Sequence, residues 1–213
     1  MSTRTILSTA GRLVGAAACV ISLASCGGEM LRTGRAPMYL VIDNMSATAG
    51  SASGSGTPSA FLLSDVQTLV DVTVGGLTVK VPTIFNDSAT ATIRSAEKNP
   101  SATTTPINAI TLTRYHVEFR RTDGRNTPGV DVPYGFDGGL GVTINANVSA
   151  PVAFEIVRHQ SKAEPPLKNL IAGGGLRFIS TIAEVTFYGH DQNGNEVTVT
   201  GRIDVQFADF GDE

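Results

Sequence analysis

Three observations predict an all-β chain folded as an antiparallel two-sheet sandwich of seven to nine strands. Runs of alternating apolar and polar residues recur along the chain, separated by clusters of Gly, Pro, Asn and Asp. No stretch beyond residue 60 keeps a helical period. Several runs set an apolar face against a charged one, the pattern of antiparallel strands with one side in water.

The first 25 residues are a separate unit. Arg4 and Arg12 are their only charges, residues 13–24 (LVGAAACVISLA) form an apolar core, and the unit ends in Leu23-Ala24-Ser25-Cys26. Twelve apolar residues are too few for a resident membrane helix, which needs about 20. An ordinary secretory signal with a small-x-small cleavage site is one reading. The L-A-S-C sequence resembles the lipobox of bacterial lipoproteins, which are cut before the cysteine and diacylated on it. That resemblance implies a signal peptide over 1–25, lipidation of Cys26 by acyl chains such as palmitate, and a membrane-anchored protein of the cell envelope. It also implies the outer membrane over the inner one in a Gram-negative cell, because Gly27, not Asp, follows the cysteine.

Cleavage there leaves 188 residues and moves the formal charge from −3 to −5, because Arg4 and Arg12 are lost and no acid is. Cys19 goes with the signal, so Cys26 alone remains. The domain then has no thiol for a disulfide, a metal cluster or a nucleophile, and its core must hold it together. A mildly acidic balance argues against nucleic acid or anionic lipid as a partner.

Residues 26–36 read as a tether, whose contour of about 3.5 Å per residue reaches roughly 35–40 Å. The β domain is expected over 37–213. Its first strand is 38–43, followed by a Gly/Ser-rich loop at 46–60 expected to be flexible. Residues 61–71 are mixed and compatible with a helical turn. Strands are expected at 78–85, 90–96, 109–121, 140–147, 151–160, 179–190 and 195–207. A bend, with one short helix, is expected between Pro165-Pro166 and Gly173-Gly174-Gly175.

The last two strands specify their own register. A two-residue Asn193-Gly194 turn would set inward Phe187 opposite outward Thr200. A three-residue loop of Gln192, Asn193 and Gly194, with Gly left-handed, sets Phe187 opposite Val199, Ala183 opposite Ile203 and Ile179 opposite Phe207. It also places Glu184 against Arg202 and Thr186 against Thr200 on the wet face. In 109–121, Tyr115, Val117 and Phe119 point inward, while Arg114, His116, Glu118 and Arg120 point outward.

Such strands suggest an immunoglobulin-like sandwich. The chain exceeds the roughly 100 residues of a simple domain of that kind, which leaves one elaborated sandwich first and two small β domains divided near 97–107 second. The FYGxDxxGN run from Phe187 to Asn195 resembles bacterial Ig-like domains, and the whole chain resembles uncharacterised bacterial lipoproteins.

The longest polar loop, 121–139, combines Arg121, Asp123, Arg125, Asn126 and Asp131 with Tyr134, Phe136 and Asp137. Long loops on a rigid scaffold commonly carry binding, and Arg with Tyr are frequent interface anchors. The same residues also serve as turns at Asp123-Gly124 and Pro128-Gly129, with Tyr134 and Phe136 sealing a sandwich end. Oxygen donors in 191–196 lack the Gly and Glu spacing of an EF-hand and suit a bulged hairpin instead. His116, His159 and His190 fall in three separate expected strands, all outward. No HExxH or GxSxG motif occurs, and Gly173–Gly175 lacks a phosphate-loop lysine.

These readings imply no cofactor, no metal and no catalytic residue. The sequence-level expectation is a non-catalytic, lipid-anchored module that binds or scaffolds another envelope protein. The alternative is a carrier of a lipid or glycan, with a hydrolase third. The absence of Trp counts against sugar recognition.

Overall fold

The structure, a computed structural model, describes residues 34–54, 56–101, 103–171 and 177–210. The expected signal segment 1–25, Cys26 and most of the expected tether lie outside the described residues. The described chain is all-β, with ten strands: β1 (Met38–Thr48), β2 (Phe61–Asp65), β3 (Thr68–Val74), β4 (Leu77–Thr83), β5 (Asp87–Glu97), β6 (Ile110–Arg120), β7 (Phe136–Ile144), β8 (Ser149–Val157), β9 (Phe178–Asp191) and β10 (Glu196–Ala208). One sheet is ordered β1-β5-β8 and a second β2-β10-β9-β6-β7, while β3 and β4 form a hairpin apart from both. All pairings are antiparallel except that of β2 with β10.

The two larger sheets meet across one core. Phe154 of β8 packs against Tyr115 of β6 and Phe187 of β9, each at 5.2 Å between ring centres. Phe119 and Phe207 meet edge to face at 5.5 Å. The Tyr115 hydroxyl accepts from the Glu155 amide across the same gap, and burial raises the phenol's pKa. Both sheets draw strands from either side of 97–107, so a division there would cut through each of them.

The β9–β10 register is the one the three-residue loop requires: Phe187 faces Val199, Ala183 faces Ile203 and Ile179 faces Phe207. Gly194 sits at φ +80° and donates to the Asp191 carbonyl. Asp191 is buried, and its carboxylate takes the Asn193 and Asn195 amides and the Asn195 side chain, so these oxygens serve the turn. On the outer face Arg202 donates to Glu184 at 2.7 Å, and the Thr186 and Thr200 hydroxyls meet at 2.9 Å. In β6 the inward set Tyr115, Val117 and Phe119 is buried, as the alternation requires.

Several boundaries differ from the sequence expectation. β1 runs to Thr48, five residues beyond Asp43, because Met45 and Ala47 also turn into the core. The mixed segment 61–71 holds β2 and the start of β3 instead of a helical turn. The start of the Gly/Ser-rich segment is strand. Beyond it Ala47 and Ser59 exchange amide–carbonyl bonds at 2.8 and 2.9 Å, which ties the loop back to β1. β7 begins at Phe136, because Phe136 is a core side chain. The expected strand 151–160 ends at Val157, and His159 opens a short helix, α1 (His159–Ala163), followed by a 3₁₀ turn (Leu167–Leu170).

Strand directions give the molecule two distinct ends. Met38 pairs with Glu97 and Thr48 with Ser88, so β1 runs from the end where the chain enters to the end where Asp87 lies. Residues 98–101, 103–109, 145–148 and 192–195 lie at the entry end. The far end carries residues 49–54 and 56–60, the roots of the β3–β4 hairpin, the 121–135 loop and α1.

The far end is organised by Asp87, which is fully buried. Its Oδ1 accepts from Lys162 Nζ of α1 at 2.8 Å and from the Gly50 amide at 2.8 Å. Its Oδ2 accepts from the Ser64 hydroxyl of β2 at 2.6 Å. Lys162 is equally buried. Removing one member of such a pair strands the other charge in the core, at about 3–5 kcal/mol. Lys162→Met is therefore expected to lower unfolding stability by about 3 kcal/mol. Asp87→Leu combined with Lys162→Met should cost less than the two single changes together, as measured by urea denaturation.

Candidate functional site

The loop from β6 to β7 is a set of interlocked turns. Asp123 accepts from Arg121 Nε at 3.1 Å and Nη2 at 2.6 Å. It also accepts from the Arg125 amide at 3.1 Å and from Arg125 Nη2 at 2.9 Å. Asn126 Oδ1 takes the Arg121 amide at 2.6 Å, which closes the first turn. Asp131 Oδ2 takes the Thr127 amide, and the Gly129 amide donates to the Val132 carbonyl at 2.8 Å to close the second. Val132 is buried beneath it. Gly129 sits at φ +77°, and a Cβ there would collide with the Tyr134 phenol that lies against it.

Each of the eight side chains singled out in the sequence can now be placed. Asp123, Asn126 and Asp131 hold the turns together. Arg121 is largely covered (18% exposed), whereas the Arg125 guanidinium is 65% exposed. Tyr134 is 56% exposed, beside Val130 at 68%. Phe136 is in the core, edge-on to Tyr115 at 6.3 Å between ring centres, with the Arg158 guanidinium over its other face at 3.8 Å. Asp137 lies on the outer face of β7, where it accepts from Arg114 Nη1 at 2.8 Å and lies 3.3 Å from His116 Nδ1. The loop thus unites the first six residues, and the strand takes the last two.

Beside this loop lies a charged outer face that the strand alternation predicted only as outward-pointing residues. Arg114 stacks on the Tyr188 ring at 3.8 Å. Arg120 bridges Glu118 at 3.1 Å and Glu184 at 3.0 Å, and Glu184 also holds Arg202. Arg158 was not singled out in the sequence; it also donates to the Asp137 carbonyl and so pins the start of β7. His159 opens α1 instead of lying in the strand expected over 151–160, and forms part of a cleft of about 400 Å³ with Thr48–Ser51, Gly54, Ile84–Asn86 and Ser88. His116, His159 and His190 thus occupy β6, α1 and β9 and do not converge.

Ion pairing sets the electrostatics of the loop. The Arg121 and Arg125 guanidinium donors hold the Asp123 carboxyl far below the usual carboxylate range. Arg114 lowers that of Asp137. A depressed carboxyl contributes order that is full above its unfolded value and is lost as pH falls through its folded one. Residues 121–127 are therefore expected to stay ordered at about pH 4, where a free aspartate (pKa about 3.9) is already close to half protonated. Amide exchange and the Asp123 carboxyl carbon shift will register this, and loosening should begin only at more acid pH.

No protein-family model matches the sequence, and no curated protein matches it.

Proposed function

We propose that this chain is a lipid-anchored envelope protein whose immunoglobulin-like sandwich is a non-catalytic module for binding or scaffolding another envelope protein. The contact surface in this reading is the 121–135 loop. The observation that carries it is the pre-ordered loop: its polar groups are spent on its own turns, while Arg125, Val130 and Tyr134 face solvent on the end away from the tether. A surface rigid before contact loses little entropy on binding, and Arg and Tyr are common anchors of protein interfaces.

The immunoglobulin-like assignment is supported by strand order. With β1 as A, β5 as B and β8 as E, the opposite sheet follows as G, F, C and C′ in β10, β9, β6 and β7. The β3–β4 hairpin is then an insertion before the B strand. The anchor rests on the L-A-S-C sequence, and the entry-end position of Met38 would face the 121–135 loop away from the membrane.

The second reading, a carrier of a small lipid or glycan, would use the open groove of about 500 Å³ between β1 and β10. Its mixed lining of Leu40, Ile42 and Met45 with Asp43, Thr200 and Arg202 suits a polar headgroup or sugar better than an acyl chain.

Two expected outcomes test the leading reading. Cys26→Ser should move the protein from the membrane to the soluble fraction and abolish its acyl mass. Arg125→Glu and Tyr134→Ala should each weaken partner association by at least about tenfold with unchanged circular dichroism, as measured with the lipidated full-length protein. Undiminished association by both folded variants would remove this loop as the contact.

A further inference from the structure

β3 and β4 pair with one another in a two-stranded sheet of their own. Gly75 and Gly76, at φ +62° and +86°, make the two-residue turn that such a ribbon needs. Directly paired residues share a face. One face carries Val70 with Val81, Val72 with Val79, and Val74 with Leu77. The other carries Leu69 with Pro82 at the root, then Asp71 with Lys80 and Thr73 with Thr78. The aliphatic face is open to solvent, most of all at Leu77 (75%) and Val74 (66%). An isolated hairpin is marginal in water, and an aliphatic face set against a more polar one marks a sheet with one covered side.

We infer that a second copy of the chain covers this face, so that two hairpins stack aliphatic side to aliphatic side about a two-fold axis near the Val72–Val79 pair. The packet formed is two layers about 10 Å apart. Three features favour a second copy over another occupant. The face bears no charge, so like meets like without repulsion, and a two-fold contact requires a self-complementary surface. It is close to symmetric about its centre, with Val70, Val72 and Val74 facing Val81, Val79 and Leu77. The hairpin roots lie at the end opposite Met38. A two-fold axis along the membrane normal therefore joins the far ends of neighbouring copies with both tethers on the same side.

The size of the face sets the strength of the contact. Six aliphatic side chains make a patch of a few hundred Å², and a stacked pair buries less than the roughly 1,200 Å² of a stable soluble complex. The contact thus closes among copies held on a common surface, where effective concentration is high. In this respect the inference rests on the lipid-anchor reading above.

The chain is suited to a cysteine test, since Cys19 leaves with the signal and Cys26 is occupied by lipid in that reading. Full-length Val79→Cys and, on the opposite face, Thr78→Cys would be treated in native membranes with a bis-maleimide. Its reach would match the layer spacing of about 10 Å, which a direct disulfide could not span. The Val79→Cys protein should form a cross-linked dimer as the major species, with Thr78→Cys at background. Adding Val72→Lys, which would bury a charge in the contact, should reduce the Val79→Cys dimer by at least about tenfold. Equal dimer from both faces, or none from either, would overturn the inference. So would a Val79→Cys thiol shielded from a water-soluble maleimide without dimer, which would mean that lipid or another protein covers the face. Acyl mass and membrane fractionation on the same samples separate the two readings. An anchored protein that does not cross-link removes only the self-contact, whereas a soluble, unacylated one removes both.

Discussion

The buried carboxylate of Asp87 joins segments that no strand ladder connects. It begins β5 in the three-stranded sheet, yet it takes the hydroxyl of Ser64 from β2 in the five-stranded sheet and the ammonium of Lys162 from α1. Its remaining bond, from the Gly50 amide, fixes the turn out of β1. The two sheets are thereby clamped at one end by bonds with little angular freedom, while Phe154, Tyr115 and Phe187 pack them further down. Apolar packing alone tolerates sliding; a charge with three donors in a dry site does not, since each lost donor leaves desolvated charge behind.

The clamp also decides what the far end can display. With the exit of β1, the approach to β5 and α1 fixed around Asp87, the β3–β4 hairpin is left to project between Asp65 and Asp87, and the 121–135 loop stands on the sheet beyond. That loop meets the core through Val132 and Pro133, and Phe136 continues the contact into β7. Its order comes from Asp123 between two arginines and from Asn126 and Asp131 closing turns on backbone amides. The entry end carries a bulged hairpin built on Asp191, the short turn between β7 and β8, and the longer connection between β5 and β6 with its 3₁₀ turn at Pro106–Asn108.

How much of this was legible in the sequence follows from the range of each interaction. The β9–β10 register was fully readable, because alternation in two adjacent strands and the Asn-Gly turn constrain each other locally. The inward and outward faces of β6 were readable for the same reason. The polar residues of the 121–139 loop were found by composition, but their division was not: Phe136 looks like a loop aromatic until β7 is seen to start there. The Ser64–Asp87–Lys162 cluster was invisible, since its members are 23 and 75 residues apart and each looks like an ordinary surface side chain. The β3–β4 hairpin did leave a signal, valines at every second position on both sides of Gly75-Gly76. It is obscured because β3 follows the short β2 after only two residues, so the two strands blend into one mixed segment.

The central claim is that the end of the domain opposite Met38 is the one that meets a partner protein. Site-specific photo-cross-linking in intact cells tests it most directly, with the reactive group placed at Tyr134 on the far end or at Asn193 on the entry end of the full-length chain. The account predicts one dominant protein adduct from Tyr134 and none from Asn193. An adduct from Asn193 alone, with Tyr134 left unreacted in a folded protein, would contradict it.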